Sequence, residues 1–309
     1  YDSILDLSVP KEMLPDEIYG VFNAGDATMM AVFFDTATSA DETMEAVTQI
    51  RTLAGKQCFV SGLSAMVTDL RNLSEGEEAT YVALAVACAC LVMVLLLDSW
   101  LAPFVFLASI GVAILLNMGS NYFLGEISYI TKALAAVLQL AVTMDYSIFL
   151  WHSYCEQLAT QEDHKKAMAE AIARTITSVT GSSITTIAGF IALCFMSYTM
   201  GRDLGIVMAK GVALGVICTV VILPALILTF DKWVEKYKHR TVIPQLKKLS
   251  YFVSNHAVPI VVVFILIIIP FAIAQNKTTV YYTLFDSLPQ DLTGIVGTNK
   301  LGEDFGMTT

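Results

Sequence analysis

Six apolar stretches, each close to a membrane span in length, punctuate the chain at roughly 79–97, 101–119, 128–151, 183–200, 206–230 and 258–274. About 20 apolar residues are needed for a helix to cross the ~30 Å hydrocarbon core of a bilayer. ATYVALAVACACLVMVLLL and PIVVVFILIIIPFAIA are the cleanest of these runs, and Pro259 falls at an expected first helical position of the latter. One such run can be a buried helix of a soluble protein, but six in succession predict a polytopic α-helical membrane protein with six transmembrane helices.

The segments between and around the spans have different patterns. In 162–179, Met168, Ile172, Ile176 and Val179 recur at helical spacing, with Lys165, Lys166, Glu170 and Arg174 on other faces. In 231–252, basic residues alternate with Trp233, Tyr237, Leu246 and Leu249, the pattern of an interfacial helix lying against anionic membrane lipids, with Pro244 expected to break it. Before the first span, TMMAVFFDT (28–36) reads as a strand and SADETMEAVTQIRTLAG (39–55) as a helix. The helix has Ser39 as its cap and Glu42 three residues on. KQCFVSG (56–62) reads as a second strand, and a polar helix follows into the first span. Together these predict a partial α+β domain, one βαβ unit whose strands are too few to close a sheet alone. After the last span, VYYTLF, a turn-like DSLPQD and a further helix look like the start of another such domain. The chain opens at Tyr1 with no initiator methionine or signal peptide, so the expectation is an internal segment of a longer protein.

Composition supports the membrane reading. The 309 residues are 56% hydrophobic and only 15% charged, where soluble domains carry about 25% charge. The net charge of −10 belongs entirely to the head: residues 1–78 hold 14 acids and 4 bases, while 79–309 hold 14 of each. That balance disfavours a nucleic-acid partner. Lys165, Lys166 and Arg174, together with Lys232, Lys236, Lys238, Arg240, Lys247 and Lys248, make up nine of the 18 bases, and both loops lie on one side of the membrane. The positive-inside rule makes that side cytoplasmic and puts residues 1–78 and 275–309 outside. Cysteines are scattered without a disulfide framework or metal spacing, and no nucleophile–base set or phosphate-binding loop is present. The sequence therefore predicts no enzyme, cofactor or metal, and any transport must be driven by an ion gradient.

One residue inside the spans carries chemistry of its own. Asp145 sits between LQLAVTM and YSIFLWH in the third apolar stretch. A carboxylate there costs about 2.5–3.5 kcal/mol on insertion scales, so it must face protein or water. It can then take up and release a proton as access changes, or serve as a structural hydrogen-bond partner. Tyr146 is adjacent, about 100° round the helix. His152, seven residues on, shares the face of Asp145 and is a candidate relay to the inner surface or a partner of headgroups. Thr143, Ser147 and Gln139 make this helix polar, as Ser182, Ser183, Thr185 and Thr186 do the next; these hydroxyls suit a wet path or interhelical packing equally. Gly211 and Gly215 form a GxxxG pair that predicts a close helix crossing.

The order of these motifs resembles a known superfamily. DSWLAP stands at a turn between spans, TMDYSIFL in mid-helix, TSVTGSSITTIAGFIAL across a cytoplasmic segment and span, and VILPAL at the end of another span. This is similar to the RND superfamily of exporters, most closely the MMPL (mycobacterial membrane protein large) branch. The resemblance implies two similar halves, each with a ferredoxin-like porter domain after the first of six helices. On that plan, 1–78 is the end of the first porter domain and 79–230 holds helices two to six. A cytoplasmic amphipathic segment occupies 231–257, helix seven 258–274, and 275–309 opens the second porter domain. The resemblance further implies plasma-membrane export of lipids or other hydrophobic molecules driven by protons, with Asp145 and Tyr146 as the proton-coupling pair. A second pair would lie in the other half, outside this chain. Many members have glycine where this chain has Thr143. Patched-like lipid sensors and SecDF-like translocation accessories share the architecture and are the alternatives.

Overall fold

The computed structural model describes residues 16–55, 58–239, 247–278 and 288–307. The chain divides into two compact units, Tyr1–Glu75 with Asn276–Thr309, and Gly76–Gln275. Among the described residues, six helical stretches are long and apolar enough to cross a membrane.

The larger unit is a helical bundle. It is built from the greater part of α3 (Leu63–Leu96) and from α4 (Ala102–Ser120), α5 (Tyr129–Leu158), α6 (His164–Leu193), α7 (Thr199–Ile217), α8 (Leu223–Lys236), α9 (Lys247–Asn255) and α10 (Ala257–Gln275). The main core lies where α3, α4, α5, α6 and α8 converge, with Met93, Phe106, Ile110, Trp151, Met168 and Leu223 almost fully buried. Phe106 meets Trp151 edge-on, ring centroids 5.8 Å apart at 74°, the arrangement that sets a positive ring edge against a negative face. A second cluster around Ala135, Val207 and Met208 joins α5 to α7. No side chain of α10 is buried among the described residues.

Two boundaries differ from the hydropathy reading. The cytoplasmic helix at 162–179 and the span at 183–200 are one helix, α6, which ends at Leu193; nothing between them breaks a helix. The Asp163 carboxylate caps its start, accepting from the backbone N–H of Lys165 at 3.0 Å. The stretch 206–230 lies in a longer helical run, α7, a π turn over Cys218–Ile222, and α8. Pro224 explains the π turn: proline lacks an N–H and crowds the carbonyl four residues earlier, so the preceding turn widens. The expected break at Pro244 lies outside the described residues.

The smaller unit departs from the βαβ expectation. Helix α1 (Asp16–Phe22) leads into β1 (Asn23–Ala24) and β2 (Ala27–Thr28), an antiparallel pair of two residues each. They are the only strands among the described residues, so the ferredoxin-like domain is not formed by them. The apolar run after Thr28 is irregular, and Met30 and Phe33 are 78% and 81% exposed. A lone extended segment with no neighbour to complete its hydrogen bonds has no ladder to join. Residues 58–62 likewise form no strand, and VYYTLF lies outside the described residues. The helix itself forms: α2 (Asp41–Ala54) buries Met44 and Val47, with two acids in its first turn where the helix dipole favours them. Its cap position is Ala40 rather than the expected Ser39, and no side chain caps it. Helix α11 (Thr293–Phe305) packs Ile295 against Met66 in the first turns of α3. Asp69, 6% exposed, links these helices: it accepts from the two terminal guanidinium nitrogens of Arg51 and from the backbone N–H of Gly294 at 2.7 Å.

Candidate functional site

Helix α5 is polar on two opposite sides. Its inward stripe repeats every four residues as Thr131, Ala135, Gln139, Thr143 and Ser147, all almost fully buried. Gln139 makes both of its possible kinds of bond: its Nε2 donates to the Gly211 carbonyl at 3.1 Å, and its Oε1 accepts from Asn117 Nδ2 at 2.8 Å. Lys210 extends the network, donating to the Asn117 carbonyl at 3.0 Å and to Asn121 Oδ1 at 2.6 Å. Three helices, α4, α5 and α7, are thus tied by side-chain amides where each unpaired group would cost about 1–3 kcal/mol.

The GxxxG pair makes this approach possible. A Cβ on Gly211 would lie 2.6 Å from Asn117 Nδ2, and one on Gly215 would lie 2.5 Å from Thr143 Oγ1. Thr143 therefore fills the space that Gly215 leaves open on the partner helix. Its hydroxyl has no hydrogen-bond partner among the described residues, while its carbonyl accepts from Ser147 Oγ at 3.1 Å.

Asp145 is on the other side, exposed, in a stripe with Leu138, Phe149 and His152. Tyr146 is turned inward, 6% exposed, against Val179 of α6 and Val212 of α7. The structure thus places Asp145 and His152 on one face, and Tyr146, Thr143 and Ser147 among the neighbouring helices. On α6, Ser183 is buried and bonds the Val179 carbonyl. Thr185 and Thr186 both turn back to the Ser182 carbonyl, at 2.7 and 3.1 Å. These hydroxyls satisfy themselves on their own helix, which leaves the outer surface of α6 small and apolar around Gly181, Ala188 and Gly189.

Sequence reasoning missed Lys210 and its asparagine partners. The signal was present, since Lys210 is the only charged residue between Asp203 and Asp231. An intramembrane lysine demands acceptors just as an intramembrane aspartate demands donors.

Comparison with known proteins places this geometry in a lineage. The model of the MMPL family matches residues 25–268, most of the chain. A putative membrane protein of Streptomyces coelicolor, ActII-3, is 29% identical over 150 residues, 46% of this chain and 21% of that protein. The siderophore exporter MmpL5 of Mycobacterium tuberculosis is 29% identical over 199 residues, covering 61% and 20%. The mycolic acid-containing lipids exporter MmpL11 of Mycolicibacterium smegmatis is 27% identical over 101 residues, covering 32% and 11%. The chain therefore spans about a fifth of the length of MmpL5 and ActII-3. With six helices long and apolar enough to cross a membrane among the described residues, and relatives named as membrane proteins, it is a multi-pass membrane protein. The chain belongs to the MMPL family.

Proposed function

We propose that this chain is the membrane segment of a proton-driven exporter of lipids or other hydrophobic small molecules, and that Asp145 is its proton carrier. The observation that carries the reading is the position of Asp145, mid-span on the outward face of α5 with no hydrogen bond or ion pair among the described residues. A carboxylate so placed is too costly against lipid and needs a protein or water neighbour. A second half of the same transporter would supply that neighbour.

On this reading the basic segments around 165–174 and 232–248 are cytoplasmic. Residues 1–78 and 275–309 belong to porter domains outside the plasma membrane. Asp145 takes a proton from the outer side and releases it inward, with His152 two turns along the same face as the relay. Tyr146 is wedged between α6 and α7, so a shift of α5 on protonation is transmitted to both. Thr143 and Ser147 set the packing of that moving helix. Each proton falling through 100 mV supplies about 2.3 kcal/mol. The exporter names of MmpL5 and MmpL11 support the direction of transport, and the lipids named for MmpL11 support an apolar cargo.

The test uses the full-length protein in proteoliposomes, comparing Asp145→Asn with Asp145→Glu. Asparagine removes the titrating group and is expected to abolish gradient-driven transport, while glutamate retains a fraction of it. Wild-type transport rates in Asp145→Asn would end the assignment. Specific lipid binding with no proton-dependent flux in the wild type would point instead to a lipid sensor.

A further inference from the structure

The basic end of the larger unit holds a second polar cluster that the proton-carrier reading does not use. Helices α5, α6 and α8 meet there through Tyr154, His164 and Asp231. Tyr154 is 1% exposed, and its hydroxyl donates to Asp231 Oδ1 at 3.2 Å and lies 3.0 Å from His164 Nδ1. His164 Nδ1 is also 2.9 Å from Asp231 Oδ2. A carboxylate only accepts, so Nδ1 must carry a hydrogen at that distance, and the tyrosine spends its own hydrogen on the other carboxylate oxygen. Both contacts fix Nδ1–H in either charge state. The proton that comes and goes is therefore the one on Nε2.

Beside this triad, the end of α8 is fastened to the turn between α3 and α4. Trp100 donates its backbone N–H to the Tyr237 carbonyl at 3.1 Å, and His239 donates to the Asp98 carbonyl at 2.7 Å. Ser99 Oγ donates to the Val234 carbonyl at 2.8 Å, and Lys238 pairs with Asp98 at 3.4 Å. The ionisable groups around the His164 cleft are Asp98 from the turn, Tyr154 and Cys155 from α5, Asp231 and Glu235 from α8, and Lys238 beyond it. With His164 neutral, three carboxylates oppose one lysine, which leaves −2 in the cleft. Protonation of Nε2 halves that excess and turns a neutral hydrogen bond to Asp231 into an ion pair.

We propose that His164 and Asp231, seated against Tyr154, form a pH-operated latch that draws the start of α6 onto the end of α8. Acid closes it and alkali loosens it. Imidazole is the side chain suited to such switching between about pH 5 and 8. His164 is 36% and Asp231 22% exposed, so the charged state gains only a partly screened ion pair, worth about a two- to fivefold shift in the opening equilibrium. The proposal does not depend on which residue carries the transported proton.

The test is hydrogen–deuterium exchange of the full-length protein in nanodiscs at pH 6 and pH 8, corrected for intrinsic exchange, read over residues 164–170 and 229–236. The wild type is expected to be about two- to fivefold better protected at pH 6. His164→Gln and Asp231→Asn are expected to give equal protection at both pH values. Tyr154→Phe keeps the histidine–carboxylate pair and should keep the response, and Asp145→Asn should leave it intact. Equal protection in the wild type would overturn the latch, as would a response that survives in His164→Gln or vanishes in Asp145→Asn.

Discussion

Replacing Gly215 by alanine tests how α5 is held against α7. The new methyl would lie 2.5 Å from Thr143 Oγ1, 3.2 Å from its Cγ2 and 3.4 Å from its Cβ. The first cannot stand without movement, the second requires the threonine to give by a few tenths of an ångström, and the third is ordinary contact. Overpacking of this kind costs about 1–3 kcal/mol, against which alanine regains about 1 kcal/mol of helix propensity over glycine. The expected net loss is therefore about 0–2 kcal/mol. Thr143→Ala removes the two closest atoms, and with them a buried hydroxyl that has no protein partner, so alone it should change stability by less than about 1 kcal/mol. In the double variant the clash is gone and only the alanine propensity gain remains. The double-mutant cycle, measured by unfolding the full-length protein in mixed SDS micelles, should give a coupling of at least about 1 kcal/mol. Threonine has two accessible rotamers in a helix, and rotation away from the new methyl is the alternative. Additivity within about 0.5 kcal/mol would show that this rotation suffices, and would refute the claim that Gly215 exists to admit Thr143.

Gln139→Leu strands the Asn117 amide and the Gly211 carbonyl in the bundle, so it should destabilise the protein by about 1–3 kcal/mol in the same assay; Gln139→Glu, which keeps an acceptor for Asn117, is expected to restore part of that loss. Asp69→Ala leaves Arg51 without its bidentate partner and the start of α11 without its acceptor, an expected cost of about 3 kcal/mol. It should be visible as faster hydrogen exchange across residues 293–305, with residues 199–217 unchanged.

The spans were legible because their signal is length and apolarity alone, and α2 because its first-turn acids mark its start, although the expected Ser39 cap is not made. What composition could not fix was the orientation of each helix about its own axis. In a soluble helix, polar residues mark the outer face. In α5, polar residues stand on both sides, Asp145 and His152 outward, Gln139, Thr143 and Ser147 inward. Which side is which emerges only when α4 and α7 supply Asn117 and the two glycines. Thr143 and Gly215 were each visible in the sequence as a departure and as half of a motif. Their complementarity needed the crossing of two helices 72 residues apart in the chain. The strands failed for a related reason: TMMAVFFDT has strand composition, but a strand is a property of a sheet, and the described residues supply no partner for it.

The central claim, that Asp145 couples proton movement to transport, is tested most directly in proteoliposomes holding the full-length protein and a fluorescent lipid cargo. A pH step is imposed across the membrane, and cargo movement and internal pH are recorded together. The account predicts that cargo movement in the wild type starts with the step, is accompanied by proton flux and stops when a protonophore collapses the gradient, and that Asp145→Asn shows neither flux. Cargo movement in Asp145→Asn that follows the pH step as it does in the wild type would contradict it.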